Sequence, residues 1–240
     1  MGEFTGIGWT LRTWNPWRGC KKISPGCANC YMFTEQYRYK LDPTVVTKTK
    51  TWGQPKRWQK SLNGTNKKEM VFTCSWSDFF IEAADEWRLD AWKVIKETPN
   101  LIYQILTKRP KLISNRLPPD WDDGYPNVAL GVSIENANYN SRADDLRKVP
   151  AKWRFISAEP LLGSIKGLGL KDIHWLIAGG ESGPGFRNMD LDWVREARDM
   201  CISEGVPFFY KQNSAFLPGQ DNILDGKAWE QWPTEWLNTE

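Results

Sequence analysis

Short apolar runs alternate with helical stretches along most of the chain. Each run is continuously apolar instead of alternating apolar and polar residues, which is typical of parallel strands covered on both faces. Six runs lie at 71–75, 101–106, 127–132, 153–158, 174–179 and 206–211, and residues 9–14 add a seventh at the front. Helices are predicted between the runs at 82–97, 108–116, 137–148 and 191–204.

This alternation of strands and helices favours a parallel α/β sheet or barrel. A complete eightfold barrel typically takes about 250 residues, and the chain has 240. We therefore expect an α/β fold, a partial (β/α) TIM-like barrel of about six to seven parallel strands. One domain is expected over residues 1–240, with an insertion at 42–69 and a C-terminal tail at 213–240.

Composition places the chain among ordinary globular proteins. Hydrophobic residues make up 40% and charged residues 25%, which excludes a disordered or fibrous chain. No apolar run approaches the roughly 18–20 residues of a membrane helix, and residues 1–11 lack the layout of a secretory signal. A cytoplasmic protein without a membrane partner is expected. The 15 tryptophans are unusual, because such rings either fill a large core or line a surface on which a ligand stacks.

Positive charge is concentrated in the insertion. Residues 42–69 contain seven Lys and Arg against two acidic residues, a local net charge of +5 in a chain whose net charge is +3. Trp52 and Trp58 lie among these cations. Two interpretations remain open: a solvated insertion whose tryptophans pack on the barrel, or a loop that contacts nucleic acid through phosphates and stacked bases.

Polar residues follow the predicted strands. In parallel α/β folds, binding and catalytic residues gather at the carboxyl ends of the strands. Helix caps and loop starts favour some of the same residue types. The residues at these ends are Ser75, Ser77 and Asp78; Thr107 and Lys108; Ser133, Glu135 and Asn136; Ser157 and Glu159; Gly179, Gly180, Glu181 and Ser182; Lys211 and Gln212.

Three of the five cysteines lie within eleven residues, at Cys20, Cys27 and Cys30. A loop with Gly and Pro can bring such near neighbours to one metal centre, and thiolates select zinc or iron–sulfur clusters. A structural zinc ion would need a fourth ligand, and the remaining candidates are His174, Cys74 and Cys201. With a [4Fe–4S] cluster, three thiolates would leave one iron open for chemistry.

An open iron at the first strand–helix loop of a partial barrel is typical of radical S-adenosylmethionine (SAM) enzymes. Their usual cysteine spacing is three residues and then two, whereas here it is six and then two. Nine sequence blocks between residues 13 and 233 resemble, in order, the phage Gp37/Gp68 family, also called the DUF5131 family, a divergent radical SAM group. They are TWNPWRGCKKISPGCANCY, SWSDFF, LTKRP, NVALGVSIEN, ISAEPLLG, IAGGESGPGFR, DWVREARDMC, FFYKQ and LDGKAWEQWP.

The resemblance implies a [4Fe–4S] cluster on Cys20, Cys27 and Cys30, with SAM and an external one-electron reductant. The segment 179–183 is similar to the glycine-rich element that holds the methionine amino group in radical SAM proteins, which makes Gly179, Gly180 and Glu181 cofactor candidates. Other cofactor candidates are strand-end residues that suit an ammonium, a carboxylate or ribose hydroxyls: Ser75, Ser77, Asp78, Lys108, Ser133, Glu135, Ser157 and Glu159.

The leading hypothesis is a radical SAM enzyme that modifies or isomerises a hypermodified thymine with an amino-acid-bearing substituent in phage DNA, in the host cytoplasm. A base in a duplex must leave the stack to be reached. No catalytic side chain is assigned; Cys74 and Tyr210 could return a hydrogen atom, but packing is their expected role. The candidate substrate contacts are Trp52, Trp58, Trp76, Arg187, Lys211 and Gln212.

Two alternatives remain open at this stage. The chain could be a radical SAM enzyme that acts on tRNA, a peptide or a small metabolite. It could also be a non-catalytic nucleic-acid-binding module stabilised by zinc or by a cluster. The missing fourth cysteine argues against the second alternative, because structural metal sites are normally closed.

Overall fold

The computed structural model describes residues 5–238. Eleven strands lie within these residues, and seven of them form one parallel sheet in the order β1-β4-β5-β6-β7-β8-β9. The strands are β1 (Arg12–Trp14), β2 (Trp17–Arg18), β3 (Thr47–Lys48), β4 (Glu69–Thr73), β5 (Leu101–Thr107), β6 (Val128–Ser133), β7 (Trp153–Ala158), β8 (Trp175–Gly179), β9 (Phe208–Gln212), β10 (Ile223–Leu224) and β11 (Lys227–Ala228).

Helices and single 3-10 turns connect the strands. The α-helices are α1 (Tyr31–Arg38), α2 (Gln54–Leu62), α3 (Asp85–Lys96), α4 (Ser141–Arg147) and α5 (Leu191–Glu204). The 3-10 turns are Pro25–Cys27, Glu82–Ala84, Pro110–Leu112, Ser114–Arg116, Ala137–Tyr139 and Thr234–Leu237. No helix within residues 5–238 is long and apolar enough to cross a membrane.

The predicted strand pattern is confirmed, and one predicted helix is wrong. The run at 153–158 and the helix at 191–204 coincide with β7 and α5. The segment 108–116 forms two 3-10 turns instead of a helix. Pro118 explains why this segment cannot extend into a helix, because the residue before a proline is driven to an extended backbone, as Leu117 is at ψ 153°.

The sheet curls into a half-barrel. The ring centroid of Trp9, just before β1, lies 6.3 Å from that of Trp175 in β8. Five strand spacings separate β1 from β8 in the sheet order, and a flat sheet would hold them roughly 24 Å apart at about 4.8 Å per spacing. The two sides of the sheet therefore face each other, and β1 and β9 leave the barrel open.

Two apolar clusters cover the two faces of the sheet. The larger, outer cluster packs the convex face against the helices, with Val71, Ile105 and Leu176 among its members. The inner cluster fills the concave face with large rings, including Phe155 and Trp175. Because these two residues lie toward the amino ends of β7 and β8, the inner face is plugged at that end and has room at the carboxyl end.

The segments predicted as an insertion and a tail both take part in the fold. Within the insertion, β3 pairs antiparallel with β2, and α2 packs beside α3 and β5. Trp52 and Trp58 pack, half-buried, against the outer cluster. In the C-terminal segment, Trp236 is fully buried in the inner cluster. This part of the chain therefore closes the amino end of the half-barrel.

Candidate functional site

The three-cysteine loop joins β2 to α1 at the carboxyl edge of the sheet. The N–H of Gly19 donates to the carbonyl of Trp76 (3.0 Å), and the hydroxyl of Ser77 donates to the carbonyl of Gly19 (2.6 Å). The amide of Asn15 contacts Ser75 at 3.0 Å. The loop after β4, where cofactor binding was predicted, thus holds the start of the cysteine loop.

Glu135, just beyond β6, anchors the middle of the cysteine loop. Its fully buried carboxylate accepts from the hydroxyl of Ser24 at 2.6 Å and pairs with Lys108 at 3.1 Å and with Arg142 at 2.7 Å. Gly26 passes directly over it, since a Cβ there would stand 2.6 Å from the Glu135 Cγ. Burial acts to raise the pKa of Glu135, but the charges of Lys108 and Arg142 outweigh it and hold the pKa below its ordinary value.

Asp78 and Arg109 fix the first cysteine. One Asp78 oxygen accepts from the hydroxyl of Thr107 (2.7 Å), and the other accepts from Arg109 Nη1 (2.9 Å) and from the N–H of Lys108 (3.0 Å). The same Arg109 Nη1 lies 3.9 Å from the Cys20 Sγ. Asp78 therefore orients a guanidinium against the first thiol of the loop.

The glycine-rich segment after β8 holds the last part of the loop. Glu181 is buried and paired with Arg187, whose Nη2 also donates to the carbonyl of Pro25 at 3.1 Å. The amide of Asn29 donates both to Glu181 and to the carbonyl of Gly185, each at 2.9 Å. Four strand ends, those of β4, β5, β6 and β8, thus converge on one loop.

The protein sets different electrostatic conditions for the three thiols. Burial raises the pKa of Cys20 to about 12, and the nearby Asp78 adds to this rise. Burial also raises the pKa of Cys30. For Cys27, burial is outweighed by hydrogen bonds from the backbone of Ile23 and from Ser24, so that its pKa falls below the ordinary value.

Cys27 and Cys30 lie one turn apart, with the N–H of Cys30 3.5 Å from the carbonyl of Cys27, and Cys20 precedes them on the same loop. Yet no group of three His, Cys, Asp or Glu side chains within residues 5–238 is close enough to hold one metal ion. A single zinc ion needs its thiolates about 2.3 Å from the metal, whereas each thiolate of a [4Fe–4S] cluster binds a different iron and stands further from the others. The described residues therefore form no closed site for a single metal ion, and a cluster on Cys20, Cys27 and Cys30 stays a prediction.

The residues considered for a fourth ligand lie elsewhere. His174 precedes β8 at the amino end of the sheet, where its Nδ1 accepts from the N–H of Arg154. Cys201 is fully buried in α5. Cys74 is buried in the outer cluster, and its pKa is raised by that burial. Packing accounts for the positions of both cysteines.

Glu159 and Lys211 form an ion pair at the carboxyl end of the inner face. Lys211 Nζ lies 2.8 Å from Glu159 Oε1, and the hydroxyl of Ser157 donates to Glu159 Oε2 at 3.2 Å. Tyr31, which follows Cys30, donates its hydroxyl to the carbonyl of Ser75 at 2.8 Å and is 48% exposed. We define the mouth of the half-barrel by Ser157, Glu159, Gly179 and Lys211.

The other predicted site residues have other surroundings. Ser133 is buried next to Ser157 in the sheet register, on the inner face. Gln212 is buried, and its amide bonds to the backbone of Gly180 and Gly219. Trp76 is half-buried beside the cysteine loop. The roles of the predicted cofactor and substrate residues stay predictions.

The sequence alone assigned no role to four residues of the site, Ser24, Asn29, Arg109 and Arg142. The first three contact residues 111, 152 and 89 positions away, whereas Arg142 contacts Glu135 seven positions away. Tyr31 directly follows the third cysteine and is the last residue of the first family block, and these two signals could have drawn attention to it. A separate cavity of about 340 Å³, lined by His174, Glu204 and Trp232, lies at the amino end of the sheet, away from the cysteines.

The fold and the site together define a parallel α/β half-barrel with a three-cysteine loop anchored at its carboxyl edge. The chain belongs to the family described as protein of unknown function (DUF5131), whose sequence profile matches residues 4–233. The predicted DUF5131 membership is confirmed, whereas the phage Gp37/Gp68 assignment stays a prediction.

A search of curated proteins found no significant match. Among solved structures, a mutant spore photoproduct lyase with bound AdoMet and dinucleoside spore photoproduct is similar, at 13% sequence identity and a TM-score of 0.48. The similarity covers 80% of this chain but only 61% of that structure's chain.

Proposed function

We propose that the chain is a radical SAM enzyme that modifies or isomerises a hypermodified thymine, one with an amino-acid-bearing substituent, in phage DNA. The observation that carries the proposal is the set of three neighbouring thiols on a loop held by four strand ends of an open half-barrel. Cys20, Cys27 and Cys30 would hold a [4Fe–4S] cluster. Such a cluster, when bound with SAM, would supply the electron that cleaves SAM and yields a radical able to remove hydrogen from an unactivated carbon.

The chain's own residues would keep the cluster loop in place. Glu135 and Arg187 bond to the loop at Ser24 and at the carbonyl of Pro25. Arg109 and Lys108 place positive charge near Cys20 and Cys27, which favours the thiolate form that binds metal. The acidic partners of these cations, Asp78 and Glu135, fix their positions. At Cys27 the pKa is held below its ordinary value, whereas at Cys20 burial outweighs the nearby cation and the pKa of the thiol is raised.

The mouth of the half-barrel offers the place for the reacting group of the substrate. It lies on the inner face, with an aromatic floor that includes Phe155 and Trp175. A base attached to DNA could enter only after leaving its stack, and the net positive charge of the insertion favours contact with phosphates of the same DNA.

The test uses anaerobically reconstituted protein and electron paramagnetic resonance (EPR) spectra of the reduced sample with and without SAM. A spectrum that changes when SAM is added is expected, because SAM would bind the open iron. Cys27→Ala should abolish this change. Cys201→Ala is the matched control and should keep it, since Cys201 lies in the core of α5. A colourless zinc protein, or a cluster that ignores SAM, would contradict radical chemistry.

The substrate is tested separately. The reconstituted protein is incubated with SAM, reductant and an oligonucleotide that contains thymine with a glycine substituent, and the nucleosides are then analysed by mass spectrometry. We expect a new nucleoside. If SAM is cleaved but no DNA nucleoside changes, DNA is not the substrate. The same assay is then repeated with tRNA, peptide and metabolite pools to find the substrate class.

A further inference from the structure

Along the inner face of the half-barrel, the side chains change from large aromatic rings at the amino end to small and polar residues at the carboxyl end. Register places Gly131, Ser133 and Ser157 on the same face as Phe155, because residues two apart in a strand share a face and paired residues of neighbouring parallel strands do too. Gly179 continues this face on β8, two residues after Ile177, and a register shift on β9 pairs it with Gln212. Lys211 is placed at this end of the face by its contact with Glu159. Small and polar side chains therefore surround a space above an aromatic floor.

One ion pair lies in this space. Glu159 and Lys211 retain exposed side-chain fractions of 14% and 23%, so that solvent or a ligand can reach both. Gly179 makes room for the pair, since a Cβ there would stand 2.9 Å from Glu159 Oε1. A larger residue at this position would push the carboxylate out of the mouth.

Unlike the carboxylates that anchor the cysteine loop, the Glu159–Lys211 pair has hydrogen-bond donors and acceptors that are not in use. Within the described part of the chain, Lys211 Nζ contacts Glu159 alone, so two of its three N–H donors are free. Glu159 accepts one bond at each oxygen and has lone pairs left. By contrast, Glu135 accepts from three side chains. The pair in the mouth can therefore bind a ligand without dismantling the loop.

A carboxylate next to an ammonium is complementary to a group that carries the same two charges. We propose that Glu159 and Lys211 recognise the zwitterionic α-amino acid group of the substrate, with Glu159 accepting from its ammonium and Lys211 donating to its carboxylate. This inference rests on the proposed function for the position of the reacting group. A ligand with only one of the two charges would leave a partly buried protein charge without a new partner, which weakens binding.

Selectivity can be measured with three probes that differ in charge. The first is thymidine with glycine joined through its nitrogen to the 5-methyl carbon. The second lacks the carboxylate, and the third has carbon in place of the nitrogen. Isothermal titration of reconstituted protein, with SAM present, should show that each singly charged probe binds about tenfold more weakly than the zwitterion. Equal affinities would overturn the proposal.

Two variants assign the charges to the two residues. Lys211→Met should bind the zwitterion and the probe without a carboxylate equally well, and Glu159→Gln should bind the zwitterion and the probe without an ammonium equally well. Lys171→Met, at the amino end of the sheet, is the control and should keep the wild-type selectivity. If a variant loses affinity for all three probes in proportion, the pair has a structural role. If a variant loses SAM binding and keeps its selectivity among the probes, the pair binds the cofactor.

The outcome is independent of radical chemistry, because binding needs no turnover. Charge selectivity in a protein that does not cleave SAM would refute the proposed function and leave the recognition site. SAM cleavage without charge selectivity would refute the recognition site alone. If a variant does not fold, as judged by its thermal unfolding, the probe series on the wild-type protein still decides.

Discussion

At the scale of single residues, each buried charge at the carboxyl edge of the sheet is compensated by several partners at once. Glu135 faces two cations and a hydroxyl, and Asp78 joins Thr107 to Arg109. Removing one member of such a set leaves the others buried without compensation, which costs more than the pair contributes when intact. The effect of a substitution therefore depends on what remains behind.

Glu135→Gln should lower the free energy of unfolding at pH 7 by about 3 kcal/mol, because Lys108 and Arg142 would lose their counter-charge in a buried position. Urea unfolding followed by circular dichroism measures this change. Asp192→Asn is the matched control, since its ion pair with Arg195 is largely exposed, with 78% of the Asp192 side chain accessible, and little change is expected there. Equal stability of both variants would show that Glu135 is not held as described.

The same comparison has a predicted pH dependence. The folded-state pKa of Glu135 lies below its ordinary 4.5, so its charge stabilises the fold above that value, and this contribution is lost as the pH falls through the folded-state pKa. The stability difference between the wild type and Glu135→Gln should be full near neutral pH and should shrink in acid. Urea titrations at several pH values test this; a difference that grows in acid would contradict it.

At the scale of elements, the cysteine loop and the insertion differ in how they are supported. The loop is held by side chains from four strand ends, whereas β3 of the insertion pairs only with β2 in the strand pairing of residues 5–238. The faces of Trp52 and Trp58 are covered by Lys48 and Arg12, at 4.0 and 5.1 Å from the ring centroids. Support for DNA binding by the insertion therefore comes from its charge more than from these two rings.

Gly26→Ala should disturb the cysteine loop. The added Cβ would meet the Glu135 Oε1 at 2.6 Å, so either the loop or the carboxylate must move. We expect a loss of about 1–3 kcal/mol in stability and less iron per chain after reconstitution. Gly53→Ala, where nothing lies within 4 Å of the added Cβ, is the control. Normal iron content in Gly26→Ala would show that Glu135 does not govern the loop.

The insertion makes a prediction about salt. Arg57 and Lys60 of α2 are exposed. If they contact DNA phosphates, the double variant Arg57→Ala/Lys60→Ala should weaken DNA binding and reduce the slope of log affinity against log salt by about 2. Fluorescence anisotropy at several salt concentrations measures the slope. Lys166→Ala/Lys171→Ala, far from the insertion in sequence, should leave it unchanged, and an unchanged slope in both would exclude these contacts.

At the scale of the whole molecule, the half-barrel is closed at one end by its own C-terminal segment. Trp236 packs against Trp153, Phe155 and Trp175 with ring centroids 6.2, 6.1 and 5.6 Å away. The opposite end carries the mouth and the cysteine loop. One end of the inner face thus provides stability and the other is available for chemistry, as in other barrels built from parallel strands.

Trp236→Ala should destabilise the protein by about 3–5 kcal/mol, because it opens a cavity among the rings of the inner cluster. Trp232→Ala is the matched control: Trp232 also packs on Trp175 but is 36% exposed, so a smaller loss is expected. Thermal and urea unfolding measure both. If the two variants lose equal stability, the C-terminal segment does not act as a plug.

The sequence by itself determined the strands and most of the helices, because continuous apolar runs and helical periodicity are local properties of the chain. It also determined the family, through blocks that extend over nearly its whole length, and it identified the cysteine loop as the candidate metal site. It failed at 108–116, where Pro118 and the short connection favour two 3-10 turns over a helix.

Only the tertiary structure decided how these parts meet. The contact between Ser24 and Glu135 joins residues 111 positions apart, and that between Arg187 and Pro25 joins residues 162 positions apart. Such contacts depend on the curl of the sheet and on loop paths, which local pattern does not encode. The same reason applies to Glu159 and Lys211, which come from neither the same strand nor neighbouring ones in the sheet and meet only because the half-barrel brings their ends together.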